Sequence, residues 1–203
     1  MSTSNDPMRD RITLHGLGFI QVQLPGNQRL HVWHPDLPRR RCFEDSAIHN
    51  HRFAFDSHVL VGALRNVDYL VQEAATGSHL AYSHEAPRTA SGGRPWTLNS
   101  RVSIESFTDT IYQAGQQYRM RAYDYHRTEA LGDGRVATLM IKKQEGEAGA
   151  RSLCRIGIEP DANFDRYQWP AARLWSVVLE VLGAEGLMAS NWAMDAGTEE
   201  LLP

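Results

Sequence analysis

The order of hydrophobic and polar residues has a period of two over most of residues 17–143. Such alternation is typical of strands with one face in a core and the other in water. Turn sequences separate the segments, the clearest being Pro25–Asn27 and Gly132–Gly134. The predicted strands are Phe19–Leu24, Leu30–Trp33, Phe53–Val61, Val67–Val71, Leu80–Tyr82, Trp96–Phe107, Tyr118–Ala122 and Val136–Ile141. This series of short strands, without a helical period between them, predicts an all-β sandwich or barrel.

The pattern changes to a helical period near the carboxyl end. Apolar residues recur at helical spacing from Leu174 to Leu182. Pro170 is well placed for the first turn, and Gly183 can end a helix. We therefore predict an amphipathic helix over Trp169–Leu182 that packs on the barrel.

These changes divide the chain into three parts. Residues 1–16 are predicted to form an amino-terminal arm, residues 17–145 the β-barrel, and residues 146–203 a carboxy-terminal segment that contains the helix. Within the barrel, Ser83–Pro95 is rich in proline and glycine, which predicts a surface loop. Its length makes it a candidate insertion or lid.

Composition and charge narrow the classes of function. The chain has 203 residues, 42% of them hydrophobic, and a net charge of -3, which fits one folded domain and argues against a nucleic-acid surface. No apolar run approaches the roughly 18–20 residues that cross a bilayer, and the amino end lacks the apolar segment of a secretory signal. Two cysteines, Cys42 and Cys154, are too few for a disulfide framework. We expect a cytoplasmic protein with a small-molecule substrate and neither a nucleic-acid nor a membrane partner.

Histidine supplies the candidate chemistry. His49, His51 and His58 lie within ten residues of one another. On a strand, His49 and His51 point to the same face, so both imidazoles can reach one metal ion. The apolar residues Phe53 and Phe55 continue that phase, so the face is interior, where unpaired polar nitrogens are costly. A metal ion or a hydrogen-bond network would supply the missing partners, whereas His58 has the opposite phase.

A second segment, Gly115–His126, ends in a histidine eleven positions after its glycine. Together with His49, His51 and Gly62, this segment resembles the two motifs of the cupin superfamily. The resemblance implies a cupin-like jelly-roll β-barrel with a metal ion inside, held by His49, His51 and His126. It covers roughly residues 17–143.

The sequence also departs from the cupin motifs. The position of the cupin carboxylate ligand holds Phe55, or Asp56 if the longer spacing is used. Asp56 would reach a metal only if a bulge turned it inward. In the second motif, the proline, glycine and asparagine positions hold Arg121, Tyr123 and Ala130.

A ligand set of three histidines leaves coordination positions open, as catalytic sites do. It resembles the ligand set of the thiol dioxygenase branch of the cupins. This resemblance implies a non-haem metal-dependent dioxygenase that acts on a small organic molecule. The serine-histidine-tyrosine relay of that branch has no matching positions here. Fe(II) is favoured because open positions suit oxygen chemistry, and Ni, Zn, Mn or Cu would accept the same ligands. The missing carboxylate leaves open a non-catalytic small-ligand-binding or structural cupin. A sugar isomerase with Asp56 or His58 as its base is a third hypothesis.

Further residues are candidates for the chemistry. Ser57 shares the phase of the histidine pair and, with Asp56, is a candidate catalytic residue. Tyr69, Tyr118 and Met120 are candidate substrate contacts, with core packing as the alternative for each. Exposed sheet edges favour pairing, so we expect a homodimer. Four arginines are candidate carboxylate partners or solvated surface residues: Arg52, Arg65, Arg119 and Arg121.

Overall fold

The chain folds into two antiparallel β-sheets. The computed structural model describes the backbone of residues 11–195 and the side chains of residues 11–183. In this part, a six-stranded sheet has the order β1 (Ile12–His15), β2 (Phe19–Leu24), β3 (Gln28–Trp33), β10 (Val136–Glu145), β4 (Phe53–Val61) and β8 (Gln117–Met120). A five-stranded sheet has the order β11 (Arg151–Arg155), β6 (His79–Ser83), β7 (Thr97–Gln113), β5 (Ala63–Glu73) and β9 (Tyr125–Ala130). The helices are α1 (Phe43–Ser46) and α2 (Ala171–Asp195).

The inner faces of the two sheets form a common core. Phe19, Trp33 and Val59 of the six-stranded sheet pack with Leu64 of the five-stranded sheet in one buried cluster. Burial of apolar faces against each other is the main free-energy gain in such a sandwich. The prediction of an all-β jelly-roll barrel with a carboxy-terminal helix is therefore confirmed.

Strand β4 carries the alternation that positions the site. Phe53, Phe55, Ser57 and Val59 are buried, and the residues between them are half-buried. β4 lies between β10 and β8, so its inward side chains face the barrel interior. The period of two in the sequence thus corresponds to the pleat of a central strand.

The barrel extends past both predicted boundaries. β1 pairs with β2 from Ile12 to His15, so part of the predicted amino-terminal arm belongs to the six-stranded sheet. β11 pairs with β6 and buries Leu153 and Cys154 completely. Both strands are short, and their apolar side chains cover the barrel interior.

Helix α2 begins at Ala171, directly after Pro170 and two residues after the predicted start at Trp169. Leu174 and Val178 are almost fully buried against the core residues of β1, β2 and β3. At Gly183, where the helix was predicted to end, the backbone has a φ of 56° and the helix is kinked. No helix in the described residues is both long enough and apolar enough to span a membrane.

Candidate metal centre

The structure brings the three predicted histidines together. His49 and His51 lie just before β4, and His126 lies on β9. The backbone N–H groups of His49 and His126 donate to each other's carbonyl oxygens at 3.0 and 2.9 Å. His49 is also bridged to Ser152 of β11. Main-chain hydrogen bonds therefore hold the two chain segments that carry the imidazoles.

The spacing of the His51 and His126 ring nitrogens fits one metal ion. One ligand nitrogen from each of the three histidines lies within 4.8 Å of the others, and the Nε2 atoms of His51 and His126 are 3.1 Å apart. Two nitrogens that bind one ion at about 2.1 Å, with an angle of about 90–110° between them, are separated by about 3.0–3.4 Å. The observed pair matches this separation.

Hydrogen bonds direct the Nε2 lone pairs of two rings toward the common centre. Nδ1 of His49 lies 2.9 Å from the carbonyl oxygen of Ala47, which can only accept, so this nitrogen carries the proton. Nδ1 of His126 lies 2.7 Å from Oδ1 of Asn66 and donates to it. Both rings therefore present an unprotonated Nε2, which is the form that binds a metal.

Asn66 sets the tautomer of His126, and it was not identified from the sequence. Its Nδ2 donates to the carboxylate of Asp68 at 2.7 Å, and this fixes the amide so that Oδ1 faces His126. Asn66 is only 3% exposed, and Thr128 also donates to its Oδ1. Outer partners of this kind orient metal ligands in proteins. The signal in the sequence is a polar residue in the inward phase of β5, two positions after Leu64.

Burial keeps the three imidazoles neutral. Desolvation lowers the pKa of His49 to about 4, and it lowers the pKa values of His51 and His126 well below the usual 6.5. At His49 the hydrogen bond to the Ala47 carbonyl raises the pKa, and the charge of Arg40 lowers it. Neighbouring histidines lower the pKa values of His51 and His126 further. Neutral imidazole is the ligand form, so the site needs no proton loss at pH 7.

A small inner cavity of about 40 Å³ adjoins the three histidines. A water molecule needs roughly 10–15 Å³, so this space suits an ion with one or a few small ligands and excludes an organic molecule. Its wall includes the rings of Phe55 and Tyr118, and the Phe55 centroid lies 5.1 Å from that of His51.

A larger outer cavity of about 240 Å³ shares His49 and His51 with the inner one. Its wall includes Arg88, Gly93 and Arg94 from the predicted loop Ser83–Pro95. Four residues of a later segment also line it: Asp161, Ala162, Phe164 and Arg166. An organic molecule would therefore approach the histidines from this side.

Of the predicted residues Ser57, Tyr118 and Met120, only Tyr118 shares a cavity wall with the histidines. Ser57 and Tyr118 are strand partners on β4 and β8, and the Tyr118 hydroxyl lies within hydrogen-bonding reach of Ser57 and Thr128. Tyr118 lines the inner cavity, whereas Ser57 is buried and lines neither cavity. Met120 packs among buried residues of β4 and β10 and contacts Asn66.

The structure does not bring Asp56 or Tyr69 to the histidines. β4 pairs regularly with β8 and β10 at Asp56, so no bulge turns this side chain inward. Its carboxylate forms ion pairs with Arg119 and Lys143, and the bonded Arg119 lowers the pKa of Asp56. Tyr69 packs against a separate core cluster that includes Ile48. Neither residue lines the inner or the outer cavity.

The comparisons give distant likenesses to solved structures. No protein-family model and no curated protein matches this sequence. The Drosophila melanogaster CENP-C cupin domain is similar at 9% identity and a TM-score of 0.37, over 65% of this chain and 74% of that one. Hydroquinone 1,2-dioxygenase from Sphingomonas sp. with 4-hydroxybenzoate bound is similar at 10% identity and a TM-score of 0.33, over 63% and 65%. A protein from Klebsiella pneumoniae with a double-stranded beta-helix domain has 13% identity and a TM-score of 0.34, over 76% and 99%.

These likenesses carry no conclusion about function. The two-sheet barrel and the cluster of His49, His51 and His126 stand on the coordinates themselves. Both features agree with the cupin resemblance of the sequence.

Proposed function

We propose that this protein binds one divalent transition-metal ion through His49, His51 and His126 and acts as an oxygenase on a small organic molecule. The supporting observation is the convergence of three neutral, largely buried imidazoles at one point between two cavities. Three protein ligands leave positions open for exogenous molecules, as in catalytic rather than structural metal sites.

A bound ion of this kind supplies open coordination positions and the redox chemistry that oxidation by dioxygen requires. Asn66 and the carbonyl of Ala47 hold the rings of His126 and His49 in the ligating tautomer. Burial raises the pKa of Tyr118, so its hydroxyl stays protonated at neutral pH and serves as a hydrogen-bond donor in the inner cavity. Phe55 contributes an apolar ring to the wall of that cavity.

A second candidate function is ligand binding without turnover. The inner cavity has no carboxylate among its described lining residues, so it lacks an acidic ligand and a carboxylate base. This chemistry suits a non-catalytic small-ligand-binding or structural cupin. The presence of metal does not distinguish the two candidates, but oxygen consumption does.

Metal content tests the ligand set. Full-length protein without a histidine tag is expected to hold about one equivalent of metal by mass spectrometry after reconstitution with ferrous, nickel or zinc salts. His49→Ala and His126→Ala should each lose this metal while circular dichroism shows a folded barrel. His58→Ala is the matched control, because His58 is on the opposite face of β4. Less than about a tenth of an equivalent in the reconstituted wild type would refute the proposal.

Oxygen uptake tests the reaction class. Iron-loaded protein is expected to consume oxygen with at least one member of a panel of thiols, diketones and phenolics. His126→Ala should abolish this uptake, and His58→Ala should retain it. Silence of fully loaded protein across the panel would refute the oxygenase and support ligand binding.

A further inference from the structure

The outer cavity has a strongly positive wall. Only one carboxylate side chain, Asp161, is among its described lining residues, and Asp161 accepts a hydrogen bond from the backbone N–H of Arg41 at 3.0 Å. Against this single acid, the cavity is lined by Arg29, Arg40, Arg88, Arg94, Arg151 and Arg166.

Several of these arginines differ from the arginines on the outer surface. Arg65 pairs with Asp109, and Arg119 pairs with Asp56, so the charges of these surface arginines are balanced. Arg52 and Glu145 form another such pair. In the part of the chain with described side chains, four cavity arginines have no carboxylate within 4.0 Å: Arg29, Arg40, Arg94 and Arg151.

Arg40 is the buried member of this set, at 9% exposure. One terminal nitrogen donates to the carbonyl oxygen of Ser46, and the guanidinium lies 4.8 Å from the ring centroid of Trp96. Its Nε has no hydrogen-bond partner. This Nε is closed to solvent, so an oxyanion in the cavity would not reach it. The guanidinium lines the cavity wall without a carboxylate within 4.0 Å, and an oxyanion beside it would balance its charge.

The electrostatics of the neighbouring groups agree with this arrangement. Burial lowers the pKa of His84, which lines the same cavity, to about 4, and the charges of Arg40 and Arg94 lower it further. Burial also lowers the pKa of Arg29, as does the nearby charge of Arg88, whereas Glu145 raises it. These cations repel one another, and an anion between them would relieve that repulsion.

The rest of the cavity wall is apolar in part. Phe19, Trp96 and Phe164 contribute aromatic rings, and Leu17 contributes an aliphatic side chain. A volume of about 240 Å³ is below the roughly 300–1,000 Å³ of drug-sized ligand sites, so it suits a small metabolite. The three neutral histidine ligands would also leave the charge of a bound divalent ion uncompensated, which favours an anion beside it.

We infer that the outer cavity binds a small organic anion, with its oxyanion group on Arg40 and its apolar body against Phe19 and Trp96. Carboxylates and phosphate esters share this chemistry, because a planar guanidinium recognises both. The inference rests on the proposed function in one respect: the anion is the molecule that the metal centre acts on. It deepens that proposal by giving the substrate class.

Isothermal titration calorimetry on full-length, metal-loaded protein tests the inference with three probes of similar shape. Benzoate carries a carboxylate, phenyl phosphate carries a phosphate ester, and benzamide is uncharged. We expect at least one anion to bind about tenfold or more tightly than benzamide, and its affinity to fall as salt increases. The tighter of the two anions identifies the head group that the cavity prefers.

Substitutions then locate the oxyanion site. Arg40→Lys keeps the charge but loses the planar fork, and it is expected to weaken the anion about tenfold. Because Arg40 also bonds the backbone at Ser46, Arg151→Gln supplies a second test at a less buried position in the same wall. Arg119→Gln is the matched control, since Arg119 is on the outer surface, and it should bind the anion like the wild type.

Equal affinity for benzamide and both anions would overturn the inference, as would wild-type anion binding in both the Arg40 and Arg151 variants. Metal analysis of the same samples separates this failure from failure of the proposed function. Retained metal without anion selectivity removes only the substrate class. Anion selectivity in protein that cannot be loaded with metal supports the cavity and refutes the metal centre.

Discussion

Replacing Asn66 by alanine would test whether the hydrogen bond behind His126 prepares it to bind metal. Oδ1 of Asn66 accepts the Nδ1 proton of His126 at 2.7 Å, and both residues are at most 3% exposed. The alanine variant removes this acceptor in a buried place and frees the ring to adopt the other tautomer. Loss of such an outer partner lowers metal affinity about 10–100-fold, which corresponds to about 1.4–2.7 kcal/mol. The unpaired Nδ1–H adds about 1–3 kcal/mol of destabilisation to the metal-free fold.

The assay is competition of a chelator for Zn²⁺ or Ni²⁺, combined with urea unfolding of the metal-free protein. Asn99→Ala is the control, because Asn99 is an exposed residue of β7 outside both cavities. The control should keep wild-type affinity and stability. A folded Asn66→Ala protein with wild-type metal affinity would show that Asn66 does not prepare the ligand.

Three further predictions concern the fold and the assembly. Gly62→Ala should lower the free energy of unfolding in urea more than Gly115→Ala does. Both glycines have a positive φ, which costs alanine about 1–2 kcal/mol, but only at Gly62 would the added Cβ meet a backbone oxygen, at 2.4 Å. Equal losses of stability in the two variants would contradict this. The folded pKa of His49 is about 4 and the usual value is 6.5, so the metal-free fold binds fewer protons than the unfolded chain between these values. Its stability should fall by up to about 1.4 kcal/mol per pH unit for each such histidine as pH drops through this window, and denaturation curves that coincide at pH 7.5 and 5 would contradict it. Light scattering should show a homodimer, and a monomer would refute that expectation.

The shared face of His49 and His51 could be predicted because its signal is local. The period of two along β4 determines which side chains face the core. Phe55 therefore points inward, and Asp56 points to the opposite face. His126 came from motif spacing rather than from a strand pattern. β9 has no clear alternation, and all its residues except His126 are half-buried, so this strand was not predicted.

The arginine-lined cavity could not be predicted in the same way. Arg29 is on β3, Arg40 is in the loop before α1, and Arg151 is on β11, so only the fold brings them to one wall. Whether an arginine is neutralised depends on carboxylates far along the chain: Arg65 pairs with Asp109, and Arg119 pairs with Asp56. A sequence shows which residues are charged, but it does not show which arginines are paired with a carboxylate.

The main-chain bridges around His49 bear on whether folding or metal binding comes first. His49 is hydrogen-bonded through its main chain to His126 of β9, and its neighbours Ile48 and Asn50 are bonded to Leu153 and Arg151 of β11. This short segment therefore joins the two outer strands of the five-stranded sheet and closes it into a ring. The entropy cost of bringing the two ligand-bearing segments together is therefore part of folding and not of metal binding. Stripping the ion should leave a closed, native scaffold that can be recharged, in contrast to zinc fingers, which collapse without their metal.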